Sequence, residues 1–152
     1  MFQFNDQQKV RLKYLLVSGF FLYADQLLKY LARSFSDFSY YFFKPWLGWE
    51  YFENAGVAFG IPVPSIVSIL LSVVIIVAVL FWAITRPQKE NLMILGFYLI
   101  VGGAISNLYD RIAFSFTTDY IRLGQSVVNI ADLMIVGGFV LIWFIKRRQL
   151  KS

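Results

Sequence analysis

LMILGFYLIVGGAISNLYDRI, residues 92–112, decides how this chain must be read. The run is apolar for most of its length and then acquires Asn107, Asp110 and Arg111 near one end. A bilayer core of about 30 Å is crossed by roughly 20 apolar residues in a helix, so the stretch is long enough to span lipid. Residues 12–32, 64–84 and 127–145 qualify in the same way. The composition agrees: of 152 residues, 59% are hydrophobic and 15% charged, where soluble domains carry about 25% charged residues. Mean hydropathy is +0.63. The expectation is an all-α membrane protein with four transmembrane helices, forming one membrane-embedded domain over residues 1–152.

The charge pattern orients the spans. Nine of the fourteen Lys and Arg fall in three short segments: Lys9, Arg11 and Lys13; Arg86 and Lys89; Lys146, Arg147, Arg148 and Lys151. Each abuts an apolar run, which is the pattern of cytoplasmic loops. Both termini are therefore expected in the cytoplasm, with loops 33–63 and 113–126 facing outward. The net charge of +5 is explained by this distribution, so no nucleic-acid partner is expected. Asp25, Gln26 and Lys29 interrupt the first run and no A-x-A-like cleavage site follows, so the first helix is expected to be uncleaved. The first outer loop carries Phe35, Phe38, Tyr40, Tyr41, Phe42, Phe43, Trp46, Trp49, Tyr51 and Phe52. Such rings favour the headgroup level, and Pro45 and Gly48 break any long helix. A short sheet or an amphipathic helix lying on the membrane is expected, a small periplasmic loop domain with short β-strands. The pairs Gly102-Gly103 and Gly137-Gly138 should let helices three and four approach closely.

Cysteine and histidine are both absent, which excludes thiol nucleophiles, imidazole catalysis and Cys/His zinc sites. Proton transfer must then fall to Asp, Glu, Lys or Tyr. With a rise of 1.5 Å per residue, Asp25 lies about 20 Å up the first helix and Asn107 about 22 Å up the third. Asn129 and Asp132 open the fourth at a similar height. The polar groups form a layer in the outer leaflet. Asp25 and Lys29 are i,i+4 and read as a structural ion pair. Asn107, Asp110 and Arg111 share a helix face at i, i+3 and i+4, and Asp110–Arg111 reads as a helix-end salt bridge or as snorkelling at least as readily as chemistry. Asp132 has no basic residue one turn away, so its partner must come from elsewhere in the fold. By this reasoning Asp132 ranks first as a functional acid, with Asp119 and Asp110 undecided. A proton relay is a rival reading, as is a Ser–Lys peptidase using Ser106 and Lys29. A non-catalytic scaffold is a third, and it leaves the polar layer unexplained. Lys29 already has Asp25 beside it, which makes it unfit as a base.

Five segments, in order, carry a resemblance: Asp25-Gln26-Leu27-Leu28-Lys29; Asn54-Ala55-Gly56-Val57-Ala58-Phe59-Gly60; Gly103-Ala104-Ile105-Ser106-Asn107-Leu108-Tyr109-Asp110-Arg111; Thr118-Asp119-Tyr120-Ile121; and Asn129-Ile130-Ala131-Asp132. Together they resemble the lipoprotein signal peptidase family, also called signal peptidase II. The resemblance implies an aspartyl endopeptidase that cuts prolipoproteins on the amino side of a lipid-modified cysteine. It implies Asp119 and Asp132 as the catalytic pair. Asn54, Gly56, Gly103, Asn107, Arg111, Asn129 and Ala131 match its substrate-contacting or site-orienting positions, and Asp25 and Lys29 its helix-one positions. Two departures are visible. Gly124-Gln125-Ser126-Val127-Val128 precedes Asn129 where the family often has Phe or Pro, and Tyr120 stands where Phe is common; neither is expected to alter the mechanism.

Two close carboxylates do not both ionise readily, so Asp119 and Asp132 are expected to share one proton. The charged member would deprotonate water and the protonated one would donate to the scissile carbonyl. This chemistry requires no metal and no organic cofactor. The expected setting is the bacterial inner membrane, as a multi-pass monomer with its site near the periplasmic face. Its partners would be membrane lipid and lipidated prolipoprotein.

Overall fold

The computed structural model describes residues 4–57, 61–85 and 91–150. Ala58, Phe59 and Gly60 of the second motif, and the basic residues Arg86, Lys89 and Lys151, lie outside the described residues. Four helices dominate: α1 (Asp6–Ser34), α2 (Ser65–Thr85), α3 (Asn91–Phe114) and α4 (Ile130–Gln149). Two of them, α2 and α3, are long and apolar enough to cross a membrane by length and composition. The charges in α1 and α4 make those two less apolar.

Helix α1 starts six residues before the apolar run because its first turn is well capped. Asn5 Oδ1 accepts the Gln8 amide N–H at 2.8 Å, and Gln8 Oε1 accepts the Asn5 N–H at 2.9 Å, so two otherwise orphaned donors are satisfied reciprocally. Helix α4 starts later than its apolar run predicts. Val127 and Val128 pair as strand instead, and Asn129 caps the helix by accepting the Asp132 N–H at 2.8 Å.

The aromatic first loop forms strands. An antiparallel sheet has the order β1 (Ser39–Phe43), β2 (Leu47–Asn54), β5 (Thr117–Leu123), β6 (Ser126–Val128), and β3 (Gly56–Val57) pairs with β4 (Ile61–Pro62) in a separate small hairpin. The β2–β5 pairing joins segments far apart in sequence, with Phe52 opposite Asp119 and Asn54 opposite Thr117. Arg122 braces the sheet by a two-pronged contact with Glu50 at 2.8 and 3.0 Å, and Tyr41 donates to the same carboxylate at 2.6 Å.

Helix α3 packs against all three other helices. An apolar core of Met93, Phe97, Ile100, Ile142 and Ile145 joins α3 to α4, with Trp82 of α2 edge-on to Phe97 at 4.8 Å. At the end near the sheet, most of the buried residues are polar: Asp25, Lys29, Ser106, Asn107, Asp110, Thr118, Asp119 and Asn129. Outward faces are apolar, including Phe20, Leu70, Val74, Phe81, Ile112, Val136 and Phe139.

The glycines divide differently from expectation. A Cβ on Gly103 would strike the Ala131 carbonyl oxygen, and one on Gly138 would lie 2.6 Å from the Gly96 carbonyl oxygen. Gly103, Gly96 and Gly138 therefore set the α3–α4 approach, and Gly96 was not anticipated. Gly102 faces Ser18 of α1 most closely and also the Met134 side chain of α4, and Gly137 faces open space. Two adjacent helical residues point about 100° apart, so the two members of a pair meet different surroundings. Gly103→Val should separate α3 from α4, lowering stability by about 1–3 kcal/mol, whereas Gly137→Val should leave the melting temperature of the detergent-purified protein unchanged.

Candidate active site

Helix α1 supplies the base of the site. Lys29 Nζ lies 3.0 Å from Asp25 Oδ2, as their one-turn spacing allows, and 3.3 Å from Asp110 Oδ2 of α3. All three side chains are fully buried. Arg33 approaches Asp110 at 3.6 Å, so two carboxylates face two cations and the cluster is formally neutral. Asp25 spends its remaining capacity on other elements: Ser106 Oγ donates at 2.6 Å, Tyr120 Oη at 2.8 Å, and the Ala131 N–H of α4 at 3.1 Å.

From this base a chain of amides leads to the two acids. Lys29 Nζ donates to Asn107 Oδ1 at 2.8 Å. An ammonium only donates, so the Asn107 amide must present its oxygen to Lys29 and its nitrogen to the far side. There Asn107 Nδ2 donates to Asp132 Oδ1 at 2.8 Å. Asn129 is oriented in the same manner by a backbone group: its Oδ1 accepts the Asp132 N–H, which leaves Nδ2 to donate to Asp119 Oδ1 at 2.6 Å. Asn54 is the third such case. Its Oδ1 accepts the Gly56 N–H at 3.1 Å, and its Nδ2 donates to Asp119 Oδ2 at 3.0 Å.

Asp119 and Asp132 are thus brought to opposite ends of one residue, Asn129. Asp119 is fully buried and Asp132 partly exposed. Burial, reinforced by the negative charge of Asp132, pushes the Asp119 carboxyl up to about 7 against the pull of Asn54, Asn129 and Lys29. A carboxyl so placed holds its proton near neutrality, which suits acid–base work. Among the described residues, no group of three or more Asp or Glu side chains could hold a metal ion.

Each residue picked out in the sequence can now be placed. Asn54, Gly56, Asn107, Asn129 and Ala131 join the network through the bonds above, and Gly103 admits the Ala131 carbonyl beside α3. Asp110 and Arg111 do not pair with each other as expected. Asp110 turns toward α1 and also accepts the Thr118 N–H at 2.9 Å, fixing the strand that carries Asp119. Arg111 turns toward α2 and donates to Ser72 Oγ at 3.2 Å, with its Nε buried and unpartnered. Consecutive side chains on a helix do not face each other, so two residues both within a turn of Asn107 can still turn to different neighbours. Four participants were missed or undervalued. Gln26 donates to Ser106 Oγ at 2.7 Å and Arg33 to Thr118 Oγ1 at 2.8 Å. Ser106 and Tyr120 both serve Asp25. Arg33 had a visible signal, lying one further turn along the Asp25–Lys29 face; Tyr120 had none.

Removing one partner of a buried ion cluster leaves a stranded charge. Lys29→Met, which strips Asp25 and Asp110 of their shared cation, should cost about 3–5 kcal/mol. Lys9→Met, at an exposed pair with Asp6, should not change the melting temperature measured in the same detergent.

The family described as signal peptidase II matches residues 17–146 of this chain. Lipoprotein signal peptidase of Moorella thermoacetica is 32% identical over 136 residues, covering 85% of this chain and 89% of that protein. The enzyme of that name from Caldanaerobacter subterraneus is 29% identical over 135 residues, covering 86% and 93%. A bacterial membrane enzyme solved by the in meso method at 2.3 Å resolution has a similar fold, with a TM-score of 0.83 over 91% of this chain and 89% of that one, at 23% identity. A second, solved at 1.9 Å, gives 0.76 over 87% and 90%, at 24% identity. The match takes in all of α2, α3 and the strands and most of α1 and α4, and the chain belongs to the signal peptidase II family.

Proposed function

We propose that this protein is an intramembrane aspartyl endopeptidase that removes signal peptides from diacylglyceryl-modified prolipoproteins, cleaving on the amino side of the lipidated cysteine. Family membership carries the reaction. The observation that carries the assignment of residues is the bridge through Asn129, which donates to Asp119 and accepts the backbone N–H of Asp132.

The mechanism follows from one shared proton. The ionised member of the dyad takes a proton from water as the water oxygen bonds to the scissile carbonyl carbon. The protonated member donates to the carbonyl oxygen, giving a neutral tetrahedral diol. Collapse of the diol breaks the C–N bond, a proton passes to the leaving amine, and the dyad is restored. The pair titrates as a unit. The buried amide nitrogens of Asn54, Asn107 and Asn129 aim the carboxyl groups, and Arg111 would hold backbone carbonyls of an extended peptide through the donors Ser72 does not use.

The surroundings suit a lipidated substrate. Four spans, with both termini in the cytoplasm of the inner membrane, would put the dyad at the periplasmic boundary. There the diacylglyceryl group remains in lipid while the peptide bond reaches water. The apolar outward faces of all four helices support this, as do the exposed aromatic rings of β1 and β2. A Ser–Lys mechanism is disfavoured because Ser106 and Lys29 are fully buried and Ser106 Oγ donates to Asp25.

Asp119→Asn and Asp132→Asn should each lower cleavage of a lipidated prolipoprotein by about 10²–10⁴-fold or more while the purified variants melt as cooperatively as the parent. Substantial cleavage by either would reject the dyad. The pH dependence has a definite sign. With Asp119 protonated up to about 7, the required proton is present below that pH and lost above it. kcat/KM should therefore decline with a midpoint near neutrality as pH rises, measured between pH 5 and 9. A rate that climbs steadily to pH 9 would contradict the assignment.

A further inference from the structure

We infer that the Tyr120 hydroxyl is a positioning group for the dyad, tying the strand that carries Asp119 to the helix start that carries Asp132. The inference rests on the dyad reading above and names a residue that reading does not use. It revises the sequence expectation that Tyr120 in place of the family's common Phe leaves the mechanism untouched, because in this chain the hydroxyl has two partners.

Tyr120 is fully buried and follows Asp119 directly in β5. Neighbouring strand residues point to opposite faces, so the two side chains reach different partners. Asp119 meets Asn129, and Tyr120 meets the next residue of α4. The hydroxyl accepts the Ile130 N–H at 3.2 Å and donates to Asp25 Oδ1 at 2.8 Å. One oxygen thereby links β5, α1 and α4. Burial pushes its pKa upward, so it remains a neutral donor and acceptor throughout the working range. The ring is fixed from the other side by Trp49 of β2, with centroids 5.1 Å apart.

The start of α4 is held by four named bonds. Asn129 Nδ2 bonds to Asp119, the Ile130 N–H to Tyr120, the Ala131 N–H to Asp25, and the Asp132 N–H back to Asn129. Helix starts leave their first N–H groups without helical partners, and here β5, α1 and the helix's own cap take them. Of these bonds, only the one to Tyr120 uses a side chain adjacent to Asp119 without touching either acid. Its loss leaves both carboxylates and all three asparagines in place and removes one of the ties between β5 and the helix start. Asn129 Nδ2, on Asp119 Oδ1 and the Thr118 carbonyl oxygen, is then the point about which the helix start can shift.

Two variants remove the two halves of this bond. Tyr120→Phe keeps the ring against Trp49 and deletes the hydroxyl. Ile130→Pro deletes the N–H and keeps the hydroxyl on Asp25; proline is tolerated at the first helical position, and Asn129 already has the extended backbone (φ −126°, ψ 172°) that a following proline favours. Each is purified in detergent and assayed with a diacylglyceryl-modified prolipoprotein from pH 5 to 9, beside Asp119→Asn and a thermal melt. A displacement of about 1 Å at reacting groups can cost 10²-fold. Tyr120→Phe should therefore lower kcat roughly 10- to 100-fold with little change in KM. The alkaline midpoint of the profile should move to lower pH as Asp132 draws away from Asp119. Ile130→Pro should shift both in the same direction. Parental kcat and pH midpoint in both variants would overturn the inference, even with a lowered melting temperature, since a merely structural bond would show only there. An active Asp119→Asn enzyme would instead remove the dyad itself, and the inference with it.

Discussion

Lys29 is the point on which the rest of the structure depends. Its ammonium group is fully buried among Asp25, Asp110 and the Asn107 oxygen. Removing ions from water costs several kcal/mol each even after relaxation, so such a group persists only where every donor finds an acceptor. The arrangement is self-consistent: two acids, Lys29 and Arg33 neutralise one another, and the spare lone pairs of the acids accept from Gln26, Ser106, Thr118, Tyr120 and Ala131. These donors come from α1, α3, β5 and α4. The charge cluster therefore determines where α3, α4 and β5 sit against α1.

That cluster also gives the site its polarity. Asparagine amides can be turned end for end at little steric cost, and only their partners settle which end faces where. Lys29 settles Asn107, the Asp132 N–H settles Asn129, and the Gly56 N–H settles Asn54. In every case the amide nitrogen is left to face one of the two acids. The same Asn129 that caps α4 through the Asp132 N–H also donates to the Asp119 carboxylate, so one side chain fixes both the helix start and that acid.

The sheet plays a complementary part. It joins two inter-helix segments, one before α2 and one after α3, and so delivers Asn54 and Asp119 to the same end of the bundle from different directions. Its aromatic rings Tyr40, Phe42, Phe43, Trp46 and Phe52 stay exposed, while Arg122, Glu50 and Tyr41 stiffen it across three strands. A site raised on loops alone would lack this rigidity. Close helix approach at Gly103 and at the Gly96–Gly138 contact then lets α3 bring Asn107 and Asp110 against α4 and β5.

Much of this was legible in the sequence. Four apolar runs, the absence of Cys and His, the one-turn spacing of Asp25 and Lys29, and the level at which polar residues interrupt the runs all follow from periodicity and composition. These properties depend on residues near one another in the chain. The ordered motifs carried the family, and through it both acids, of which Asp132 alone stood out on physical grounds. What the sequence could not decide was pairing between elements. Asp110 turned to Lys29 and Arg33 instead of Arg111, Gly102 met α1 as well as α4, the expected strands of the aromatic loop paired with β5, and Tyr120 acquired two partners. Each of these depends on which face of a helix or strand meets which neighbour, and that is set only when the buried charges of α1 are neutralised by residues about 80 or more positions away.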